Sequence, residues 1–208
     1  MLLQAAKAST PGKGVDGLFE FYKEPSEDVI GPEGIERLCD DLGVAPSDRR
    51  VLILAYLMKA ERMGFFSRHE FLHGCRILSV TSLSQLKKTL PKLDAAIASP
   101  AAFQNFYSFA FQFLLTDPGQ KIIDVDTAAQ MLHIVYPEGR WVPALCEYLP
   151  IQTEYKKIGK DQWENFLKFS SEVLPDLSNA TDNPAWPLIC DNFCEWYQKK
   201  TAAQGGES

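Results

Sequence analysis

The sequence predicts an all-α fold. Three observations carry that prediction. Apolar residues recur at three- and four-residue spacings from Val15 almost to the C-terminus, no segment shows a convincing strand alternation, and Ser, Asp, Gly and Pro cut the pattern into about ten pieces of helical length. With 208 residues, 46% hydrophobic and 12% aromatic, the chain has enough apolar surface for one domain or two closely packed lobes.

Residues 1–14 show no period and read as a disordered leader. The first helix carries Leu18, Phe19 and Tyr22; the second carries Ile35, Leu38, Cys39 and Leu42 and stops at Gly43; the third follows Ser47 with Val51, Leu54, Ala55 and Met58. A capping box from Ser67 to Glu70 opens a helix over 68–79. Further helices are expected at 82–97, with Pro91 as a kink or break, and at 101–116, 125–136, 141–153, 161–174 and 185–199. "TDPGQ" at 116–120 and "YPEGRW" at 136–141 read as loops, and 200–208 as a disordered tail. A boundary between 80 and 100 would divide a lobe of about 15–90 from one of about 100–199. The aromatic run "FQNFYSFAFQF" puts Phe103, Phe106, Phe109 and Phe113 at core spacing on one helix.

Twenty-seven acidic against 21 basic residues give a net charge of −6, which disfavours nucleic-acid and anionic-membrane binding and favours a basic protein partner. The apolar run "VLILAYLM" at 51–58 is far shorter than the roughly 20 residues of a membrane span, and "MLLQAAKAST" lacks the plan of a signal peptide. Five cysteines, with no C-x-x-C, fit buried thiols in a reducing compartment, where the sequon at Asn179 stays unused.

"HEFLH", His69 to His73, matches the H-E-x-x-H pattern of zinc hydrolases, in which two imidazoles one turn apart hold the metal and the glutamate is the base. Glu70 is already needed by the capping box, and no third ligand stands out. The same stretch fits an EF-hand loop better: with Lys59 at position 1, Gly64 falls at position 6, Phe66 at position 8 and Glu70 at position 12. Lysine at position 1 and Met63 at position 5 deprive a hard cation of its oxygen cage. The upstream loop "KEPSEDVIGPEG", anchored by Ile30, is also degenerate, with Lys23 and Pro25 at ligand positions. The first half is therefore read as a pair of EF-hand-like units without calcium, and no metal or cofactor is expected. There is no G-x-S-x-G and no P-loop, and Cys190 with Cys194 lacks a histidine nearby in sequence, so both are read as core residues.

In "NPAWPLICDNFCEW", 183–196, ordinary punctuation explains much: Asn183 caps, Pro184 takes the first turn and Trp186 packs inward. It does not explain Asp191. Together with "GKDQWENFLKFSSEVLPDLSN", "GIERLCDDLGV", "LILAYLMKA", "SRHEFLHG", "FYSFAFQF" and "DPGQKIID", this stretch resembles the defective-in-cullin-neddylation family over about 15–199. The resemblance implies a non-catalytic, scaffold-type co-ligase. Such a protein holds a cullin and a charged conjugating enzyme together and promotes transfer of a ubiquitin-like modifier to a cullin lysine. It further implies that Asp161, Ala185 and Asp191 contact the cullin's C-terminal winged-helix region. Ile35, Cys39, Val51, Leu54, Ala55, Met58, Phe66 and Phe113 would receive the acetylated N-terminus of the conjugating enzyme. Read without the resemblance, Asp161 is an N-cap before Trp163, Asp191 belongs to a solvated helix face, and the eight apolar residues are core. Departures from familiar members fall at Met58, Gly64 and His133. The expected protein is a monomer of cytoplasm and nucleus; the rival readings are a calcium-independent EF-hand-like adaptor for another helical partner and an H-E-x-x-H zinc hydrolase.

Overall fold

The computed structural model describes residues 12–180 and 184–205. The chain divides between Phe106 and Tyr107 into two compact units. The first contains α1 (Gly14–Tyr22), β1 (Val29–Ile30), α2 (Pro32–Leu42), α3 (Arg49–Met58), β2 (Phe66–Ser67), α4 (Arg68–Ile77), α5 (Leu83–Thr89) and a 3-10 helix (Leu90–Ile97). Helix α6 (Pro100–Phe113) contains the boundary. The second unit continues with β3 (Ile122–Asp124), α7 (Val125–Val135), α8 (Val142–Ile151), β4 (Lys157–Gly159), α9 (Lys160–Glu172) and α10 (Leu188–Gly205).

Ten α-helices among the described residues agree with the all-α reading, and Pro91 ends α5 and shifts the chain into the 3-10 helix as expected of a residue without an N–H. Two differences concern the ends of the pattern. The last helix begins at Leu188, so Pro184 and Ala185 form a turn before it, while Trp186 is buried as expected. The expected cap, Asn183, lies outside the described residues, as does most of the expected leader. At its other end α10 runs past 199 to Gly205, with Lys200 5.1 Å from the Trp196 ring and ion-paired to Glu147, and Thr201 Oγ1 donating to the Tyr197 carbonyl at 3.0 Å.

The sequence reading found no strands, yet two short antiparallel pairs tie loop to loop. Ile30 faces Phe66 in the first unit, and Ile123 faces Ile158 in the second; all four side chains are buried. Pairs of two and three residues are too short to show alternation. The first pair joins the two EF-hand-like loops at position 8. Gly64 at position 6 has φ 81°, the left-handed turn for which glycine is suited. Glu70, the position-12 carboxylate, turns to the protein itself: Oε1 accepts from the Glu61 N–H at 2.9 Å, and Oε2 accepts from the Ser67 N–H at 2.6 Å and the Ser67 hydroxyl at 2.8 Å. Loop amides thus occupy the oxygens that a cation would take in a calcium-binding loop.

Arg68 adds a second tie. Its guanidinium donates to Asp28 at 2.7–3.1 Å, to Asp16 at 3.3 Å and to Glu20, and lies 4.4 Å from the Phe19 ring. These contacts pin α4 to α1 and to the β1 loop. The hydrogen bonds from Arg68, and then its charge with that of Lys23, hold the Asp28 carboxyl below the usual range. A depressed carboxyl contributes stability that is present above its unfolded pKa and lost as pH falls through the folded value. The urea midpoint of Arg68→Met should therefore lie below wild type at neutral pH, and the gap should narrow below about pH 4 and in high salt. A gap independent of both would show that the cluster acts through packing alone.

At position 12 of the first loop stands Gly34, where α2 crosses α1. A Cβ there would lie 2.1 Å from the Tyr22 carbonyl oxygen and 2.8 Å from Ile30 Cγ2. Arg37 donates to the Phe21 and Tyr22 carbonyls at 3.5 and 3.4 Å, closing the end of α1 over the same contact. Gly34→Ala gains up to about 1 kcal/mol of helix propensity but pushes into backbone, and overpacking of this kind costs about 1–3 kcal/mol. A lowered melting temperature is expected; an unchanged or raised one would mean that α1 and α2 are free to separate.

Candidate functional site

In the second unit, the β3·β4 pair delivers the chain to Gly159, which precedes α9. Gln162 Oε1 accepts from the Gly159 N–H at 2.8 Å and so performs the capping. Asp161 is not the N-cap; its carboxylate meets only the Asn165 amide, at 3.3 Å, and its side chain is exposed. The rotation of α9 is set by Trp163, which is fully buried. Its indole N–H donates to the Tyr107 carbonyl at 2.9 Å, the Tyr107 hydroxyl donates to the Trp163 carbonyl at 2.9 Å, and the rings stack at 4.7 Å. Two residues back is about 200° around the helix, so an inward Trp163 turns Asp161 outward.

The start of α10 is fixed in the same way. Trp186 is 8% exposed and stands edge-on to Phe169, with centroids 5.5 Å apart; Pro184 and Pro187 bracket the Ala185–Trp186 pair. The Cys190 N–H donates to the Pro187 carbonyl at 2.8 Å, opening the helix. Ile189, Cys190 and Phe193 are fully buried, which leaves Leu188, Asp191 and Glu195 on the outer face and Ala185 exposed in the turn before it.

Helix α9, which carries Asp161, packs on α10, which carries Asp191 thirty positions later in sequence. The Cys190 thiol is pushed up to about 12, first by burial and then by Cys194, Asp191 and Asp161. Asp191 and Glu154 also act on Tyr155, whose hydroxyl is raised chiefly by burial. Neither Asp161 nor Asp191 forms an ion pair among the described residues. Two exposed carboxylates left without ion-pair partners among the described residues are able to receive basic groups.

The eight apolar positions are distributed otherwise. Ile35 and Cys39 lie on α2, Val51, Leu54, Ala55 and Met58 on α3, and Phe66 on β2, all in the first unit; Phe113 ends α6 in the second, stacked on Phe109 at 5.1 Å. Cys39, Leu54, Ala55, Met58 and Phe66 are at most 4% exposed and serve as core, whereas Ile35 and Val51 reach the surface in part. Met58 lies against Gly74, where an added Cβ would meet its Cγ at 2.3 Å. Gly64 sits in the β2 loop, and His133 is exposed on α7.

The histidines of "HEFLH" stack at 6.3 Å, and the Arg76 guanidinium bonds to His73 Nδ1 at 3.0 Å. Burial, and then the charges of Arg76, Lys59 and His69, lower the His73 pKa. With both oxygens of Glu70 engaged, the motif's glutamate acts as a cap. Among the described residues no three His, Cys, Asp or Glu side chains are grouped to hold a metal. All five cysteines are free thiols, each raised to about 11 or 12 chiefly by burial and so protonated at neutral pH.

Comparison with known proteins bears on both surfaces. A family model described as "Cullin binding" matches residues 85–196, a span that holds Asp161, Ala185, Asp191 and Phe113 but not the positions from Ile35 to Phe66. The chain is 42% identical over 184 residues to DCN1-like protein 2 of Dictyostelium discoideum, covering 88% of this chain and 68% of that protein. It is 38% identical over 188 residues to DCN1-like protein 5 of Bos taurus, covering 89% and 78%, and 38% identical over 181 residues to DCN1-like protein 4 of Drosophila melanogaster, covering 86% and 72%. With a family model over more than half its length and relatives matched over most of theirs, this chain belongs to the cullin-binding, DCN1-like family.

Proposed function

We propose that the protein is a non-catalytic co-ligase for cullin neddylation. The Asp161–Ala185–Asp191 surface binds the C-terminal winged-helix region of a cullin, and the α2–α3 region with Phe66 binds the acetylated N-terminus of the conjugating enzyme. Rate is gained by position: two bound reactants meet at high effective concentration, and no side chain of this chain takes part in the bond changes. The reading is carried by one observation: Asp161 and Asp191, on the packed helices α9 and α10, are both exposed and have no ion-pair partner among the described residues, and Ala185 in the turn before α10 is exposed as well. Lysine or arginine side chains of the cullin fit such a surface, and the short Ala185 side chain leaves room for close approach.

The second contact needs an opening in a core. Ile35 and Val51 are its partly exposed members, and Met58, unbranched and adaptable, is the core side chain best able to yield to an incoming methionine. Acetylation matters because an unpaired ammonium would be costly to bury there.

For the cullin contact, Asp191→Lys replaces attraction with like-charge repulsion, an effect worth several kcal/mol across an interface. The same exposed acid contributes at most about 1 kcal/mol to its own helix through the dipole. Asp161→Ala, Ala185→Arg and Asp191→Lys are therefore expected to melt close to wild type while losing affinity for a cullin C-terminal fragment. Ala185→Arg adds bulk together with one positive charge and Asp191→Lys reverses a charge, so both should weaken further as salt is lowered, Asp191→Lys the more. Wild-type affinity in all three variants would place the cullin contact elsewhere.

A further inference from the structure

The outer face of α10 carries a residue that the charged patch does not explain. Leu188 is 63% exposed, the highest among the large apolar side chains that the described residues leave in solvent. Its neighbour Ile189 is fully buried, so the helix has a core position available and nonetheless sets a leucine outside it. A single exposed leucine is ordinary on a protein surface. This one lies three residues after Ala185 and three before Asp191, and Leu188, Asp191, Asn192 and Glu195 form one stripe at helical spacing. Two members of the stripe are engaged within the protein: Asn192 donates to Glu154 at 2.7 Å, and Glu195 pairs with Lys199 at 3.6 Å. Leu188 and Asp191 are the two that face outward without such a tie.

The helix that presents them is stiff. Phe193, one turn inside, packs edge-on against Trp141, Tyr148 and Phe169 with centroids 5.7–5.9 Å apart. An apolar side chain on a rigid helix, flanked by a small residue and an unpaired charge, has the make-up of an interface anchor: it contributes by desolvation while the charge fixes register. We propose that Leu188 is the apolar anchor of the cullin contact, filling a nonpolar seat in the cullin surface between the basic groups that meet Asp161 and Asp191. The inference rests on the cullin-binding reading given above. The seat it calls for is lined by aliphatic side chains and bordered by lysine or arginine.

The test measures affinity for a cullin C-terminal fragment, together with melting temperature, for wild type, Leu188→Ala, Leu188→Met, Glu195→Gln, Asp191→Lys and, as an exposed apolar control in the first unit, Ile77→Ala. Leu188→Ala should weaken binding by about tenfold or more with unchanged melting, as expected for an anchor truncated to a methyl. Leu188→Met should restore most of the affinity, and Ile77→Ala and Glu195→Gln should bind as wild type. Loss of less than about threefold in Leu188→Ala overturns the anchor. If Asp191→Lys then abolishes binding, the charged patch survives that failure; if it too binds normally, the surface assignment fails with it. Equal losses in Leu188→Ala and Ile77→Ala would also overturn the proposal, since they would trace the effect to general stickiness.

Discussion

Ile30 opposite Phe66, and Ile123 opposite Ile158, join loop to loop through a few backbone hydrogen bonds, and each pair decides where the next helix begins. In a calcium-binding EF-hand the loop is ordered by the ion as well as by this pairing. Here the first pair is reinforced by the chain's own groups: Glu70 gathers the amides of Glu61 and Ser67, Arg68 gathers three carboxylates, and Gly34 lets α2 rest on the carbonyl end of α1. In the second unit the β3·β4 pair ends at Gly159, and Gln162 and Trp163 take over at once, so the position of Asp161 follows from a strand pairing only three residues long.

Most of the helical architecture was legible because it is written in local signals. Ser67 with Glu70, Pro91 and Gly43 mark helix boundaries through hydrogen bonds made or prevented within a turn, and those signals hold whatever the tertiary setting. The strand pairs were not legible, since two or three residues cannot display a period, and their partners are 33 to 38 positions away. The start of α10 was placed early for a related reason: Pro184 suits a first helical turn as well as the turn it occupies, and it is the insertion of Trp186 against Phe169 that delays the helix to Leu188.

The assignment of Asp161, Ala185 and Asp191 to a cullin contact comes from family resemblance and hardly at all from local chemistry. By itself "KDQW" reads as a capped helix start, yet the cap is made by Gln162, and Asp161 is released from structural duty. The outward position of Leu188 was not legible because the apolar pattern of "PLICDNF" counts it beside Ile189 and Phe193; only the three-dimensional burial separates the two that point in from the one that points out. The first unit gives the opposite lesson. Positions from Ile35 to Phe66 fit both a core and a receiving surface, and five of them are closed core in this conformation, so any entry begins at Ile35 and Val51.

A protein whose buried thiols are protonated, whose H-E-x-x-H glutamate is a helix cap and whose exposed Asp161 and Asp191 have no ion-pair partner among the described residues has surfaces suited to holding partners. On the proposed function, holding is what the protein contributes, and both contacts must be made at once. The most direct measurement is the rate of modifier transfer to a cullin C-terminal fragment in a reconstituted reaction, with and without this protein, using conjugating enzyme with either an acetylated or a free N-terminus. The protein should accelerate transfer, and the acceleration should require acetylation and disappear with Asp191→Lys. Equal rates with and without the protein, or acceleration indifferent to both changes, would contradict it.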